Sequence, residues 1–373
     1  MGQILRTIAV LPGDGIGPEV TRGAVELLQD SAATFSHRFE FREFPFGGSA
    51  IDQCGDPLPA ETLAGCKSAD AILLGAIGGP RWDALPLNRR PESGLLRLRK
   101  ELGLYINLRP IRLRHSLQGI SPLRADRVSG CDIEIVRELA GDIYFGEHEL
   151  HGENGNARAR DVAAYTSAEV ERVARYAFER AAARRQHVTS VDKANVLSTS
   201  VLWRQTVSSV AREFPGVTLD HLYVDNAAMQ LLLRPKQFDV ILTSNMFGDI
   251  LSDEAAALAG SIGLIPSLSR GREGLPALYE PIHGSAPSLA GKDVACPLGA
   301  IFSATLMLGE SFGLATEAQH IEAAVDRMLD SGYRTMDIAE PGSRLLRCSE
   351  FTAQVRHEMR DALVHSERYG WGV

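Results

Sequence analysis

Short apolar segments alternate along the chain with segments that have helical periodicity or a helix-forming composition. The apolar segments contain β-branched residues and have the length of strands. They predict buried strands at residues 7–11, 71–74, 187–191, 219–224 and 239–243. Helices are predicted after several of them, with Pro18 in the first turn of one and Ser167 as the N-cap of another, spanning 167–185. Strands alternating with helices predict an α/β fold.

Three of the predicted strands run directly into polar residues. These are Asp192 and Lys193, then Asp225 and Asn226, then Ser244 and Asn245. In open α/β sheets, ligands bind outside the carboxyl ends of the strands. The repeated pattern therefore predicts that these residues line one functional side of the molecule.

Residues 238–261 combine the last of these strands with an Ala- and Leu-rich helix that carries Asp249 and Asp253. Side chains four residues apart share one helix face, so the two carboxylates point the same way. A divalent cation between them is one interpretation. The other is an acidic first turn that interacts favourably with the helix dipole.

Several arginines lie in otherwise apolar surroundings. Arg109 stands between Leu108 and Pro110, and Arg137 follows Ile133, Ile135 and Val136 within a predicted strand. A charge in such surroundings is usually paired, with a carboxylate of the protein or of a ligand. Tyr144 is a candidate acid or a core aromatic residue, and Lys193 is a candidate base if nearby cations depress its pKa.

Together these residues predict a site for an acidic small molecule. Three aspartates suit Mg²⁺ or Mn²⁺, which prefer oxygen ligands and keep positions open for a substrate. Arginines, which also include Arg97 and Arg99, suit a dicarboxylate or a tricarboxylate.

Glycines follow the first two predicted strands. Gly13, Gly15 and Gly17 suggest a dinucleotide fingerprint, but the full GxGxxG spacing is not present, so a Rossmann domain is rejected. Gly78 and Gly79 form a second loop that allows a ligand to approach the backbone.

Length and charge narrow the class of protein. A chain of 373 residues suits two domains, and the net charge of −8 argues against a nucleic-acid or membrane surface. The five cysteines are scattered and never in CxxC spacing, which is typical of reduced thiols. No signal peptide or transmembrane segment is expected, and the predicted location is the cytoplasm.

Nine segments in matching order resemble one enzyme family, the β-decarboxylating dehydrogenases of isocitrate and isopropylmalate type. They are LPGDGIGPEV (11–20), PLPAETL (57–63), LLGAIGGPRWD (73–83), GLLRLRKELGLYINLRP (94–110), VRELAGDIYFGE (136–147), SVDKANVL (190–197), YVDNAAMQL (223–231), SNMFGDILSDEAA (244–256) and YEPIHGSAPSLAGK (279–292). The resemblance covers nearly the whole chain.

The resemblance implies a fold of two α/β domains with a cleft between them, unrelated to the Rossmann fold. The expected domains are residues 1–104 plus 260–373, with most of the cofactor site, and residues 105–259. A homodimer with shared active sites is also implied. From the residues alone, segment 146–166 is more typical of a mobile surface loop, whereas the resemblance favours an arm that packs on a partner subunit.

The expected activity is metal- and NAD-dependent oxidative decarboxylation of (2R,3S)-3-isopropylmalate to 2-oxo-4-methylpentanoate and CO₂, a reaction of leucine biosynthesis. By resemblance, Arg99, Arg109 and Arg137 bind the malate carboxylates, and Tyr144 and Lys193 are the acid–base pair. Asp225, Asp249 and Asp253 bind Mg²⁺ or Mn²⁺, with Lys193 and Asp225 supplied by the second subunit.

Side-chain choice in the substrate is expected to depend on Glu92, Leu95 and Leu96. Excluding water from an isopropyl group contributes about 2–3 kcal/mol, whereas a third carboxylate against two leucines would be unpaired. Isopropylmalate is therefore favoured over isocitrate, tartrate or a secondary-metabolism analogue. A non-catalytic regulatory subunit is less favoured, because every aspartate, arginine, lysine and tyrosine of the set is present.

The chain departs from the family pattern at the expected cofactor site. Asp follows HGSAP in NAD-dependent members, but here Ser288 and Leu289 follow it, and Cys296 replaces an Asn. Without the carboxylate that repels a 2′-phosphate, discrimination against NADP should weaken, and Arg344 or Arg347 could meet that phosphate. NAD remains the expected cofactor, bound by a set comprising Ile16, Gly78, Gly79, Glu280, His283, Gly284, Ser285, Ala286, Pro287, Ser288, Leu289 and Cys296.

Overall fold

The computed structural model describes residues 4–152 and 154–369, which form two compact units. The first unit contains the chain up to residue 102, residues 114–120 and the chain from residue 259 on. The second unit contains residues 103–113 and 121–258. Strands and helices alternate in both, so the predicted α/β class is confirmed.

The first unit begins with the elements around the predicted glycine loops. In chain order they are β1 (Leu5–Gly13), α1 (Gly17–Thr34), β2 (Arg38–Glu43), α2 (Gly48–Cys54), α3 (Ala60–Ser68), β3 (Ala71–Ala76) and α4 (Pro91–Glu101). Pro18 lies in the first turn of α1, as predicted. Strand β3 is buried along its whole length, which fits its uninterrupted apolar sequence.

The second unit carries the polar strand ends. Its elements are β4 (Ile106–Arg112), α5 (Ala125–Val128), β5 (Asp132–Glu138), β6 (His148–His151), β7 (Arg158–Asp161), α6 (Ser167–Ala182), β8 (His187–Asp192), α7 (Ser198–Ala211), β9 (Thr218–Tyr223), α8 (Val224–Leu233), β10 (Val240–Thr243) and α9 (Asn245–Leu258). The strand order here is β4-β5-β10-β8-β9, antiparallel between β4 and β5 and parallel elsewhere.

The chain then returns to the first unit. It forms β11 (Pro266–Arg270), β12 (Ala277–Pro281), α10 (Leu298–Glu310), α11 (Ala315–Asp330), β13 (Tyr333–Arg334), β14 (Arg344–Leu345) and α12 (Cys348–Tyr369). The strand order in this unit is β2-β1-β3-β12-β11, with only the β11–β12 pair antiparallel.

Three local predictions require correction. Strand β9 was expected to be buried, but it is an edge strand whose residues are exposed or half-buried. The N-cap of α6 is Thr166 rather than Ser167, because Thr166 and Glu169 form a reciprocal capping box. Residues 148–161 include an antiparallel β-hairpin of β6 and β7, where a loop without regular structure was favoured.

Among residues 4–152 and 154–369, no helix combines the length and the apolar character needed to cross a bilayer. All five cysteines are free thiols, and four of them are buried.

Candidate active site

Strand pairing in the second unit brings the predicted arginines to the helix that carries the aspartates. In β4 and β5, Asn107 lies opposite Arg137 in the antiparallel register. Strand β10 runs parallel to β5 with Thr243 beside Arg137, and α9 begins two residues later. The first turns of α9 therefore lie next to the Arg137 side chain.

Two buried guanidinium groups contact the carboxylates of α9. Arg137 donates from Nη1 to Oδ1 of Asp249, and Arg109 donates from Nη2 to the same oxygen at 3.3 Å. Arg109 also donates from Nη1 to Asp253 at 3.4 Å. The arginines are 2% and 7% exposed, whereas the side chains of Asp249 and Asp253 are 36% and 58% exposed. The two arginines are therefore buried, while the carboxylates that they contact are partly exposed to solvent.

Tyr144 completes this cluster. It lies in a one-turn 3₁₀ helix, Ile143–Phe145, and its hydroxyl donates to Oδ2 of Asp249 at 2.5 Å. Its ring centroid is 5.3 Å from Cζ of Arg137. Burial and the bond to Asp249 raise the pKa of Tyr144, so the phenol holds its proton at neutral pH.

Lys193 and Asp225 form a second pair. Lys193 follows β8, Asp225 lies in the first turn of α8, and the ammonium group donates a hydrogen bond to the carboxylate. That bond lowers the pKa of Asp225. The loop is fixed by Ser200, whose hydroxyl accepts from the Lys193 backbone N–H at 3.0 Å.

The described part of the chain contains no group of three His, Cys, Asp or Glu side chains close enough to hold a metal ion. Asp249 and Asp253 are adjacent on one helix face, whereas Asp225 bonds Lys193 instead. Burial and the neighbouring charge of Asp249 raise the pKa of Asp253, against the effect of Arg109. Carboxylate oxygens are the ligands that Mg²⁺ and Mn²⁺ prefer, so Asp249 and Asp253 supply two suitable ligands but not a complete set.

In the first unit, Arg99 lies near the end of α4 and donates to Oε1 of Glu280 at 2.8 Å. Its Nε is buried and has no hydrogen-bond partner among the described residues. Leu95 and Leu96 are half-buried one turn earlier, and Glu92 is exposed in the first turn. A buried guanidinium N–H without an acceptor is costly, so its acceptor would have to be a water molecule or a ligand.

The glycine loops of the first unit are tied together by three short hydrogen bonds. The N–H of Ile16 donates to the carbonyl of Ser285 at 2.8 Å, and the Ser285 hydroxyl donates to the carbonyl of Gly78 at 2.7 Å. The Asp14 carboxylate accepts from the N–H of Gly78 at 2.8 Å. A Cβ on Gly15 would lie 1.9 Å from the Ser285 carbonyl oxygen, so only glycine allows this approach.

His283 has one ring nitrogen with a polar contact and one without. Its Nδ1 lies 2.9 Å from the carbonyl oxygen of Gly284, but its buried Nε2 has no hydrogen-bond partner in residues 4–152 and 154–369. Burial lowers the pKa of His283, so the ring is neutral. An ideal Cβ on Gly284 would meet no atom within 4 Å. The loop therefore offers an unpartnered ring nitrogen and open space beside its backbone.

The remaining predicted cofactor residues differ in exposure. Ala286 is half-buried, and Pro287, Ser288 and Leu289 are exposed. Cys296 is 6% exposed, and burial raises the pKa of its thiol. Arg344 lies with Cζ 5.4 Å from the ring centroid of Tyr333.

Four further residues hold these side chains in place, and of them only Asn245 was predicted to lie on the functional side. Asn107 and Ser252 accept from Arg109 at 2.8 and 2.6 Å, Asn245 accepts from Arg137, and Asp14 holds Gly78. Asn245 did stand at a polar strand end, which was the available signal. Asn107 and Ser252 gave none, because their roles depend on pairing between distant segments.

Sequence comparison finds one family model and relatives that match most of the chain. A family model described as isocitrate/isopropylmalate dehydrogenase matches residues 7–355. The chain is 54% identical over 358 residues to the 3-isopropylmalate dehydrogenase of Bacillus licheniformis, covering 95% of this chain and 96% of that protein. It is 57% identical over 338 residues to the enzyme of the same name from Halalkalibacterium halodurans, covering 90% and 93%.

Solved structures share the fold. Isocitrate dehydrogenase from Methylococcus capsulatus superimposes with a TM-score of 0.84 at 32% identity, covering 95% of this chain and 99% of that one. A β-decarboxylating dehydrogenase from Thermococcus kodakarensis gives a TM-score of 0.77 at 38% identity, covering 97% and 98%.

Proposed function

The chain belongs to the isocitrate/isopropylmalate dehydrogenase family, and we propose that it catalyses NAD- and divalent-metal-dependent oxidative decarboxylation of 3-isopropylmalate. The products are 2-oxo-4-methylpentanoate and CO₂, as leucine biosynthesis requires. The observation that carries the proposal is the cluster of Arg109, Arg137, Tyr144 and Asp249, together with relatives above 50% identity that bear this activity in their names.

In this proposal, arginines bind the carboxylates of the substrate. Arg99, Arg109 and Arg137 bind the two carboxylates of the malate core, because a guanidinium group offers paired donors that match a carboxylate. Leu95 and Leu96 are assigned to the isopropyl group. A third carboxylate against them would be unpaired, which disfavours isocitrate.

Two residues move protons. Lys193, as the neutral amine, accepts the proton of the C2 hydroxyl as C2 loses hydride, and the bond from C3 to its carboxylate then breaks with release of CO₂. Tyr144 donates a proton to C3. The bound nicotinamide supplies the hydride acceptor. Asp225, Asp249 and Asp253 would hold a divalent ion, which would supply Lewis-acid withdrawal of electron density.

The cofactor is assigned to the first-unit loops around His283. The unpartnered Nε2 of His283 and the open space at Gly284 support a ligand there. NAD is the proposed form. Since Ser288 carries no negative charge, discrimination against NADP is expected to be weaker than in relatives with Asp at this position.

We also propose a homodimer with shared sites. Asp225 pairs with Lys193 and forms no three-carboxylate group with Asp249 and Asp253 among the described residues. Apolar side chains 44–60% exposed lie on α8 and α9, namely Met229, Leu232, Leu233 and Ile250. Helices α8 and α9 pack against each other, and exposed apolar side chains on two neighbouring helices are typical of a subunit interface.

One assay tests the proposed function. Purified protein is incubated with Mg²⁺ or Mn²⁺, NAD or NADP, and a panel of isopropylmalate, isocitrate, tartrate and malate, and nicotinamide reduction is followed by absorbance. The highest kcat/KM is expected with isopropylmalate and NAD. A higher value for another member of the panel would reassign the substrate, and no turnover with any of them would refute the proposal.

A further inference from the structure

We propose that Asn245 is a positioning residue that fixes the plane of the Arg137 guanidinium group for substrate binding. The inference rests on the proposed function, since it concerns how Arg137 is presented to a substrate carboxylate. Oδ1 of Asn245 accepts from Nε of Arg137 at 3.0 Å and from Nη2 at 2.7 Å. Both residues are buried, at 1% and 2% exposure.

The orientation of the Asn245 amide is determined by its two neighbours. While Oδ1 faces the guanidinium donors, Nδ2 donates to the carbonyl oxygen of Gly141 at 3.0 Å. The reversed amide would place its NH₂ group against two N–H donors and its oxygen against a carbonyl oxygen. Only an amide satisfies both sides, because a carboxylate has no donor for Gly141 and a hydroxyl is too short to span both.

The backbone that carries Asn245 is also held. Its N–H donates to the hydroxyl of Tyr165 at 3.0 Å, and the next N–H, of Met246, donates to Oδ2 of Asp142 at 3.0 Å. These are N-terminal N–H groups of α9 that have no partner within the helix. The Tyr165 ring packs edge-on against Trp203 with centroids 5.5 Å apart, which restricts its hydroxyl.

The contacts of Asn245 determine how the Arg137 guanidinium group is oriented. Because Asn245 engages the Nε edge of the guanidinium group, the group is oriented with Nη1 toward Asp249. A long arginine side chain loses considerable rotamer freedom when it binds a ligand in one geometry. Asn245 imposes that restriction before the substrate arrives, so its loss should appear mainly as weaker substrate binding.

The experiment compares KM and kcat for wild-type protein, Asn245→Ala and Asn245→Asp, with Thr243→Val as the matched control. Thr243 is fully buried, lies beside Arg137 in the strand register and donates to the carbonyl of Val191 at 3.0 Å, away from the guanidinium group. For Asn245→Ala, KM for isopropylmalate should rise by roughly 10–100-fold, while KM for NAD stays within about twofold. The control should leave both values near those of wild type.

A double-mutant cycle separates positioning from a structural role. Lysine at position 137 lacks the Nε–Nη2 edge, so Asn245→Ala should add little on an Arg137→Lys background. Equal effects of Asn245→Ala on both backgrounds would overturn the proposal. Asn245→Asp keeps the volume if the alanine variant does not fold, and it should also raise KM, because its second oxygen would oppose the Gly141 carbonyl.

The outcomes also separate this proposal from the proposed function. Normal wild-type turnover with unchanged KM in both Asn245 variants would overturn the positioning role and leave the function standing. Wild-type protein without activity on any 3-substituted malate would overturn the proposed function and the positioning role with it.

Discussion

The hydroxyl of Tyr144 donates a 2.5 Å hydrogen bond to Oδ2 of Asp249. One residue of this pair is the proposed proton donor, and the other is a proposed metal ligand. Removing either side chain's polar function should therefore affect turnover, but through measurably different quantities.

Replacing Tyr144 with Phe removes the proposed donor to C3 and keeps the aromatic ring. We expect kcat to fall by about 10²–10⁴-fold, the usual contribution of a general acid, while KM for Mg²⁺ changes little. Steady-state kinetics with isopropylmalate measures this. Tyr105→Phe is the control, because Tyr105 stacks under Arg172 outside the cluster. A Tyr144→Phe variant with wild-type kcat would contradict the assignment.

Replacing Asp249 with Asn removes charge from the helix face shared with Asp253. Metal-dependent turnover should be abolished, or require far more metal, because an amide oxygen is a weaker ligand for Mg²⁺ than a carboxylate. Activity is measured across a Mg²⁺ titration. Asp220→Asn alters an exposed carboxylate paired with His187 and should leave the titration unchanged. Near-normal turnover of Asp249→Asn at low metal would refute the metal site.

Shared active sites predict complementation between two inactive variants. Lys193→Ala and Asp249→Asn should each be inactive alone. Co-expressed, random pairing into symmetric dimers should restore roughly a quarter of wild-type activity, because each mixed dimer regains one complete site. Sedimentation of the purified mixture confirms the dimer. Failure to recover any activity from mixed dimers would favour sites built within one chain.

The exposed Ser288 gives a test of cofactor preference. Introducing Asp at this position should lower kcat/KM for NADP by about tenfold relative to NAD, because like charges repel at short range. Ser288→Asn introduces a side chain of nearly the same size as Asp but without its charge, and it serves as the control. For each variant, the ratio of kcat/KM with NADP to kcat/KM with NAD is obtained from initial rates with each nucleotide. Equal efficiency of the wild-type protein with NADP would overturn the preference for NAD.

An ion pair between α1 and α12 predicts a pH-dependent stability. Although burial opposes ionisation, the guanidinium groups of Arg356 and Arg360 hold the pKa of Asp30 below its usual value. Its stabilising effect is therefore present above the unfolded-state pKa and is lost as pH falls through the lower folded-state pKa.

Asp30→Asn should reduce the free energy of unfolding by about 1 kcal/mol at pH 7, and the difference from wild type should narrow below roughly pH 4. Urea unfolding at several pH values measures it. Asp126→Asn, which alters an exposed pair with Arg124 only, should change little. A difference that stays constant from pH 7 to pH 3 would show that the pair does not act through its charge.

The sequence predicted what depends on local pattern. Strands β3, β8 and β10 were found where apolar runs placed them, and Arg137 lies on a strand as expected. Strand β9 was wrongly expected to be buried, because whether a strand lies at an edge depends on sheet order rather than on its own residues.

Some residues of the candidate site had a signal in the sequence and others did not. Arg109, Tyr144 and Asp249 could be selected from their type and from motifs, but the roles of the residues that hydrogen-bond to the site side chains could not be predicted. Asn245 matters because Arg137, more than a hundred residues earlier in the chain, meets its amide oxygen. Such partners follow from tertiary pairing, which leaves no periodic trace in the sequence.

Gly248 has a consequence for how freely this protein can be stabilised. Alanine inside a helix is normally about 1 kcal/mol more favourable than glycine. Here a Cβ on Gly248 would lie 2.6 Å from Cγ of Arg137. A gain in helix propensity would therefore displace an arginine of the candidate site, and a programme of stabilising substitutions should leave this position alone. The α9 helix retains a weak point in its first turn because the neighbouring arginine needs the room.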